Sequence, residues 1–235
     1  MVRRNKIKKS GHENTGPRGV AGGKTSGENE MDGRLEISIR SLAGLVLALI
    51  VTGCATAPPV PEDNFYRLQA IYAGTSTSGK LLPGTVEVDR FVADGLTSER
   101  PIVYSDSANP NQMKAYHYHF WIKPSTVMLR DELVSFLRAA NIADRIVTPE
   151  MRAQANYVLT GRIKHLEQVR EEKGSRTLIE VELGVRRPRD GKILYLNSFR
   201  AENDAGSAAV VDAVDSLNTA LSIIYSDFIA ELADI

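Results

Sequence analysis

Apolar residues recur with two different periods between Phe65 and Ile235. Alternation of apolar and polar positions, rich in β-branched and aromatic side chains, predicts strands at 65–71, 85–92, 101–105 and 115–121. A second group follows at 144–147, 156–169, 176–187 and 192–201, and Arg189-Asp190-Gly191-Lys192 reads as the hairpin turn between its last two members. Two stretches switch to a three-and-four spacing. Ser125 reads as the N-cap of a helix to Ala140, with Leu129, Leu133, Phe136, Leu137 and Ala140 on one stripe and Asn141 as its stop. Ser207 reads as the cap of a second helix running to about Leu232, striped by Val210, Val214, Leu217, Leu221, Ile224, Tyr225, Phe228 and Leu232. Two one-sided helices need an apolar surface, and a sheet face supplies one. The expected fold is α+β: a single domain over 65–235, with a mostly antiparallel mixed sheet and two long amphipathic helices packed on it.

The N-terminal part has a different pattern. Leu42 to Val51 is an apolar run of ten residues, preceded by Arg34 and Arg40 and followed by Gly53-Cys54-Ala55. A positive start, an apolar core of 7–15 residues and small residues at the end make a secretory signal. Thr52, Gly53, Pro58, Pro59 and Pro61 interrupt what would otherwise be a membrane span, which needs about 20 mostly apolar residues. Val51-Thr52-Gly53-Cys54 resembles the bacterial lipobox, which implies that Cys54 is lipidated and becomes the mature N-terminus. Met31 gives this signal ordinary proportions. The expected organisation is a basic polar extension at 1–30, outside the translated protein if Met31 is the start, a lipoprotein signal at 31–53, a lipidated Cys54 with a Pro-rich tether over 54–64, and the folded domain. The tether favours extended polyproline geometry, with a reach of roughly 30 Å.

Composition narrows the function. Cys54 is the one cysteine, so the chain has no internal disulfide and no cysteine-based metal cluster. The formal charge of +0 averages a basic first 30 residues with a mildly acidic body, in which 20 Lys and Arg face 24 Asp and Glu over 54–235. Such a body lacks the phosphate-neutralising surface that nucleic-acid binding needs. No G-x-S-x-G elbow and no H-E-x-x-H helix are present, and Gly22-Gly23-Lys24-Thr25 lacks the preceding glycine and strand of a phosphate loop. The reading is therefore non-enzymatic, without catalytic residues, metal or cofactor. His117 and His119 alternate on the strand at 115–121, so strict pleating puts them on one face with Trp121, and Tyr116, Tyr118 and Phe120 on the other. The expectation is that the tyrosines and Phe120 are buried and that Trp121, His117 and His119 face a protein partner, either another copy or a different chain. The alternative is that Trp121 caps the sheet edge beside Pro124. Arg186-Arg187-Pro188-Arg189 is a basic cluster that reads either as a solvated turn or as a contact for lipid headgroups or an acidic partner.

An ordered set of segments then carries a resemblance. These are Phe65-Tyr66-Arg67-Leu68, Val86-Glu87-Val88-Asp89-Arg90-Phe91, Leu96 to Tyr104, Tyr116 to Trp121, Leu129-Arg130-Asp131-Glu132-Leu133 and Gly161 to Glu167. Together they resemble the ABC-type transport auxiliary lipoprotein family, over about Tyr66 to Leu232. That resemblance implies a lipid-anchored component accompanying an MCE (mammalian cell entry) periplasmic protein and an ABC permease, in systems that move lipids across the envelope. It implies no catalytic residue, and Cys54 is the residue it assigns. Ala55 after Cys54, in place of an Asp retention signal, implies the periplasmic face of the outer membrane. Two roles follow from it: a docking or structural subunit, or a lipid-binding carrier with an apolar pocket.

Overall fold

The computed structural model describes residues 59–75 and 79–234. Cys54 and the signal lie outside the described residues, as do residues 55–58 of the tether. Among the described residues the chain forms nine strands and two α-helices. They run β1 (Asn64–Tyr66), β2 (Thr85–Val88), β3 (Val92–Ala93), β4 (Pro101–Asp106), β5 (Asn109–Trp121), α1 (Ser125–Ala140), β6 (Arg145–Val147), β7 (Tyr157–Arg170), β8 (Ser175–Arg186), β9 (Ile193–Asp204) and α2 (Val210–Leu232). This is a single-domain α+β fold built on one open mixed sheet.

β7 organises the sheet. One of its edges holds β8 antiparallel over its whole length, and β9 extends that ladder. Its other edge is shared by three short parallel partners: β2 at Tyr157 to Leu159, β3 at Arg162 and Ile163, and β4 at Glu167 to Arg170. β4 pairs with β5, β5 with β1, and β2 with β6. The long ladders are antiparallel, and the short joins to β7 are parallel.

Both helices form at the expected stripes, and their ends differ in detail. Asn141 ends α1 in the left-handed conformation (φ 61°), which Asn tolerates better than most residues. At the start, Pro124 occupies the cap position, and the Ser125 hydroxyl donates instead to the carbonyl of Thr97. α2 starts at Val210, three residues after Ser207; the Ser207 hydroxyl accepts from the Ala209 amide and contacts Asp212. α2 packs on β8 and β9, where the Phe228 ring meets Tyr195 at 5.5 Å and Phe199 at 6.3 Å. α1 meets α2 through Tyr225, fully buried, whose ring lies 5.5 Å from Phe136 and whose hydroxyl donates to Leu129 O at 2.7 Å. Burial pushes that hydroxyl well above the usual tyrosine range.

Two strands are shorter than the alternation predicts. The first stops at Tyr66, and the following segment is not paired in the sheet. Its amides are taken by helix side chains: Gln69 N donates to Asn218 Oδ1 (2.8 Å), Ala70 N to Glu132 Oε2 (3.0 Å) and Ile71 N to Ser222 Oγ (3.0 Å). Alternation here reflects a strap lying across α1 and α2, with Leu68 inside. The 85–92 strand breaks after Val88 so that Phe91 can turn inward over Gly161. A Cβ on Gly161 would stand 2.5 Å from the Phe91 ring, so any larger residue there has to displace the ring.

Candidate docking surfaces

The residues singled out on β5 sit at the sheet edge formed by β1 and β5. Their face assignment is corrected at Trp121, which is 2% exposed and belongs to the core. The cause is a bulge. Val103 faces Ala115 and Pro101 faces Phe120, so two steps along β4 match five along β5. The excess of three residues is odd, and an odd insertion reverses every side chain beyond it. Trp121 turns inward, held by its own amide on Arg100 O (2.7 Å) and by Arg100 Nε on its carbonyl (3.2 Å). Tyr118, expected inside, is exposed, while Tyr116 and Phe120 are half-buried.

The histidines separate as well. His117 is exposed beside Tyr118. His119 is half-buried and shares a hydrogen bond between Nδ1 and Tyr66 Oη at 2.9 Å. The histidine of β7, His165, has its Nδ1 2.9 Å from Glu167 Oε1. Among the described residues no group of three His, Cys, Asp or Glu side chains is placed to hold a metal ion. What the edge does present is an aromatic strip. Phe65, 54% exposed, stacks on Phe120 at 5.8 Å under the Arg100 guanidinium (5.6 Å), and Tyr118 and Ile122 are exposed nearby. Phe65 and Ile122 were not legible as surface residues, because their place depends on β1 pairing with β5.

Two ends of the β7 ladder carry concavities. Beside Arg170, a cavity of about 380 Å³ lies between Tyr66, Tyr116, His119 and the first residues of α2. Its wall is braced by Gln168, fully buried, which accepts from Tyr116 Oη (2.7 Å) and donates to Ser175 Oγ (2.8 Å) and Ala208 O (3.2 Å). Burial raises the Tyr116 hydroxyl above its usual range. At the opposite end, a groove of about 850 Å³ is lined by Glu87, Asn156, Tyr157, Arg186, Arg187 and Arg189. Next to it, Leu81, Leu82, Val185, Leu194 and Leu232 line a cavity of about 380 Å³ with Arg187 and Lys192 among its polar residues. Among the described residues no helix is long and apolar enough to cross a membrane.

Comparison with known families and structures agrees with this architecture. The family of ABC-type transport auxiliary lipoprotein components matches residues 66–226, most of the folded region. The chain belongs to this family. Its members are lipoproteins attached to transport systems of the ABC type, so this auxiliary lipoprotein is a membrane-anchored envelope component. The fold recurs in a Xanthomonas campestris protein of the DUF330 family, at 15% identity and a TM-score of 0.61, over 71% of this chain and 92% of that one. It recurs in an uncharacterised protein at 14% identity and a TM-score of 0.57, over 73% and 99% of the two chains. Similarity to PelC of Paraburkholderia phytofirmans, solved as a dodecamer, is more distant, at 16% identity and a TM-score of 0.38 over 63% and 91%. Among curated proteins none matches by sequence.

Proposed function

We propose that this auxiliary lipoprotein is the non-catalytic docking subunit of an MCE-type lipid transport system. Cys54, acylated, anchors it in the periplasmic leaflet of the outer membrane, and the tether gives the domain a reach of roughly 30 Å. Its partners are an MCE-family periplasmic protein and, through it, the ABC permease. The supporting observation is the apolar strip of Phe65, Tyr118 and Ile122 with His117 beside it, exposed at the sheet edge. Exposed aromatic side chains backed by a rigid sheet are typical interface anchors. The test is affinity purification of the lipidated protein from envelope. Wild type should retain an MCE protein, and the Phe65→Ala/Tyr118→Ala double variant, still folded by circular dichroism, should release it. Retention by the folded double variant removes the strip from the reading; absence of an MCE protein with wild type removes the partner. Cys54→Ser should abolish acylation, read as loss of the lipid-modified mass.

A carrier role is favoured by one observation, the cavity of about 380 Å³ under Leu82, Val185 and Leu232. It falls within the range of small-ligand sites. Organic extraction of purified protein followed by mass spectrometry distinguishes the roles: a stoichiometric lipid lost in Leu82→Trp supports the carrier.

A further inference from the structure

The groove at the Tyr157 end of β7 is a built cationic feature. Glu87, Val158 and Arg186 stand in one register row across β2, β7 and β8, so all three face the same side of the sheet. Val185, the neighbour of Arg186, points to the core, which fixes this row on the side away from the helices. Asn156 sets one wall. Its Oδ1 accepts from Thr85 N at 2.8 Å and its own amide donates to Thr85 O at 2.8 Å. The opposite wall is the turn after β8. Arg187 N donates to Lys192 O, Gly191 N donates to Arg187 O, and Gly191 takes a positive φ of 69° that closes the loop. Asp190 completes it, accepting from the Lys192 amide at 3.1 Å and from Arg187 Nη1 at 3.2 Å. Arg187 is therefore committed to its own turn. Arg186 and Arg189 are exposed and form no ion pair among the described residues, although the Arg189 charge helps to hold the Asp190 carboxyl below its usual range. Three guanidinium groups meet one carboxylate, Glu87, in the groove lining.

The direction of the chain decides what this groove meets. β1 runs parallel to β5, β5 antiparallel to β4, and β4 parallel to β7, so β1 runs against β7. The chain thus enters the domain from the Arg170 side. The groove lies at the other end of a strand of 14 residues, which is roughly 45 Å long at about 3.3 Å per residue. The groove therefore lies at the end of the domain remote from the entry of the tether. We propose that this groove binds an extended acidic segment of a protein partner, with carboxylates on Arg186 and Arg189. This goes beyond the docking reading above and does not require the partner to be an MCE protein. Rigid walls keep the entropic cost of binding low, and the open charges make the association steep in salt.

The test is fluorescence anisotropy on the full lipidated protein in neutral detergent. The probe is a fluorescein-labelled dodecapeptide repeating Glu-Leu-Glu-Gly, compared with its Lys-for-Glu counterpart. Expected results are binding of the acidic peptide alone, weakened by added salt, and a loss of about tenfold in Arg186→Ala/Arg189→Ala. Lys173→Ala, an exposed cation at the other end, should leave affinity unchanged. Both arginines are exposed, so melting temperature should hold in the double variant. No binding, equal binding of the two peptides, or equal loss with Lys173→Ala overturns the proposal. Displacement of the acidic peptide by glycerol phosphate also overturns it, since the groove is then a lipid-headgroup site.

Discussion

Two neighbouring rows cross the same three strands and face opposite ways. Ile163, Val181 and Phe199 lie under α2 and are buried. His165, Glu180 and Arg200 lie one step along, on the face without a helix. There the surface is a lattice of ion pairs: Lys164 reaches Glu180 and Glu182 at 3.4 Å, Arg200 reaches Glu180 (3.1 Å) and Glu202 (2.6 Å), and Arg176 reaches Glu171 (3.0 Å) and Glu202. The strands and register are shared. What differs is the second layer, and with it the physics. The covered face is held by apolar burial and close packing, which are insensitive to salt and intolerant of volume change. The open face is held by exposed pairs, each worth little and screened by ions. The lattice also blocks stacking of a second sheet or helix on that face, because burying it would strip solvent from many charges.

Breaking the covered face should give the largest effect. Phe228→Ala removes a buried ring between Tyr195 and Phe199, and should cost about 3–5 kcal/mol in denaturant unfolding. A loss under about 1 kcal/mol would show that α2 is not the principal cover. Gly161→Ala comes next: the added methyl group meets the Phe91 ring, and overpacking of this kind costs about 1–3 kcal/mol. Pairing it with Phe91→Leu should recover part of that loss, which separates crowding from a backbone effect.

On the open face Arg200→Ala should cost less than about 1 kcal/mol, and the difference from wild type should shrink in high salt. A salt-independent loss would mean that the arginine stem packs on the sheet. The smallest effect is in acid. Glu202 is held below the usual carboxylate range, first by its hydrogen bond from Arg200 and then by the charges of Arg176 and Arg200. A carboxyl depressed in the folded state adds stability above its unfolded value, about pH 4.3, and loses it as pH falls through the folded value. Glu202→Gln should therefore flatten the acid side of the melting profile and leave the covered face unaffected. An unchanged profile would show that the lattice contributes nothing to acid stability.

Sequence periodicity was sufficient for both helices, because a stripe of Leu129, Leu133, Phe136 and Leu137, or of Val214, Leu217, Leu221 and Phe228, admits one buried face. It was sufficient for the β8–β9 hairpin too, since Asp190-Gly191 separates two alternating runs. The family was legible from ordered segments, although no single residue in them performs chemistry. The candidate surfaces were legible only in part. Arg186 and Arg189 stood out as a cluster, yet that neither forms an ion pair among the described residues depends on Arg187 being the one that binds Asp190. Phe65 stood out only as a strand residue.

Trp121 marks where the sequence stops being enough. Alternation assumes that every residue of β5 has a partner on β4, and Tyr116 to His119, four residues, face a single residue of β4. Nothing in Tyr116-His117-Tyr118-His119 announces the bulge, because its cause is the fit between two strands distant in the chain. The same holds for residues 67–72: their alternation is genuine, but it is satisfied by Asn218, Glu132 and Ser222, three polar side chains on the helices. Local sequence determined which segments are helical or extended and which side of each helix is apolar. Tertiary structure decided register, and with it which aromatic rings are core and which are surface, because register depends on the partner strand and on the hydrogen-bond donors that each segment must satisfy.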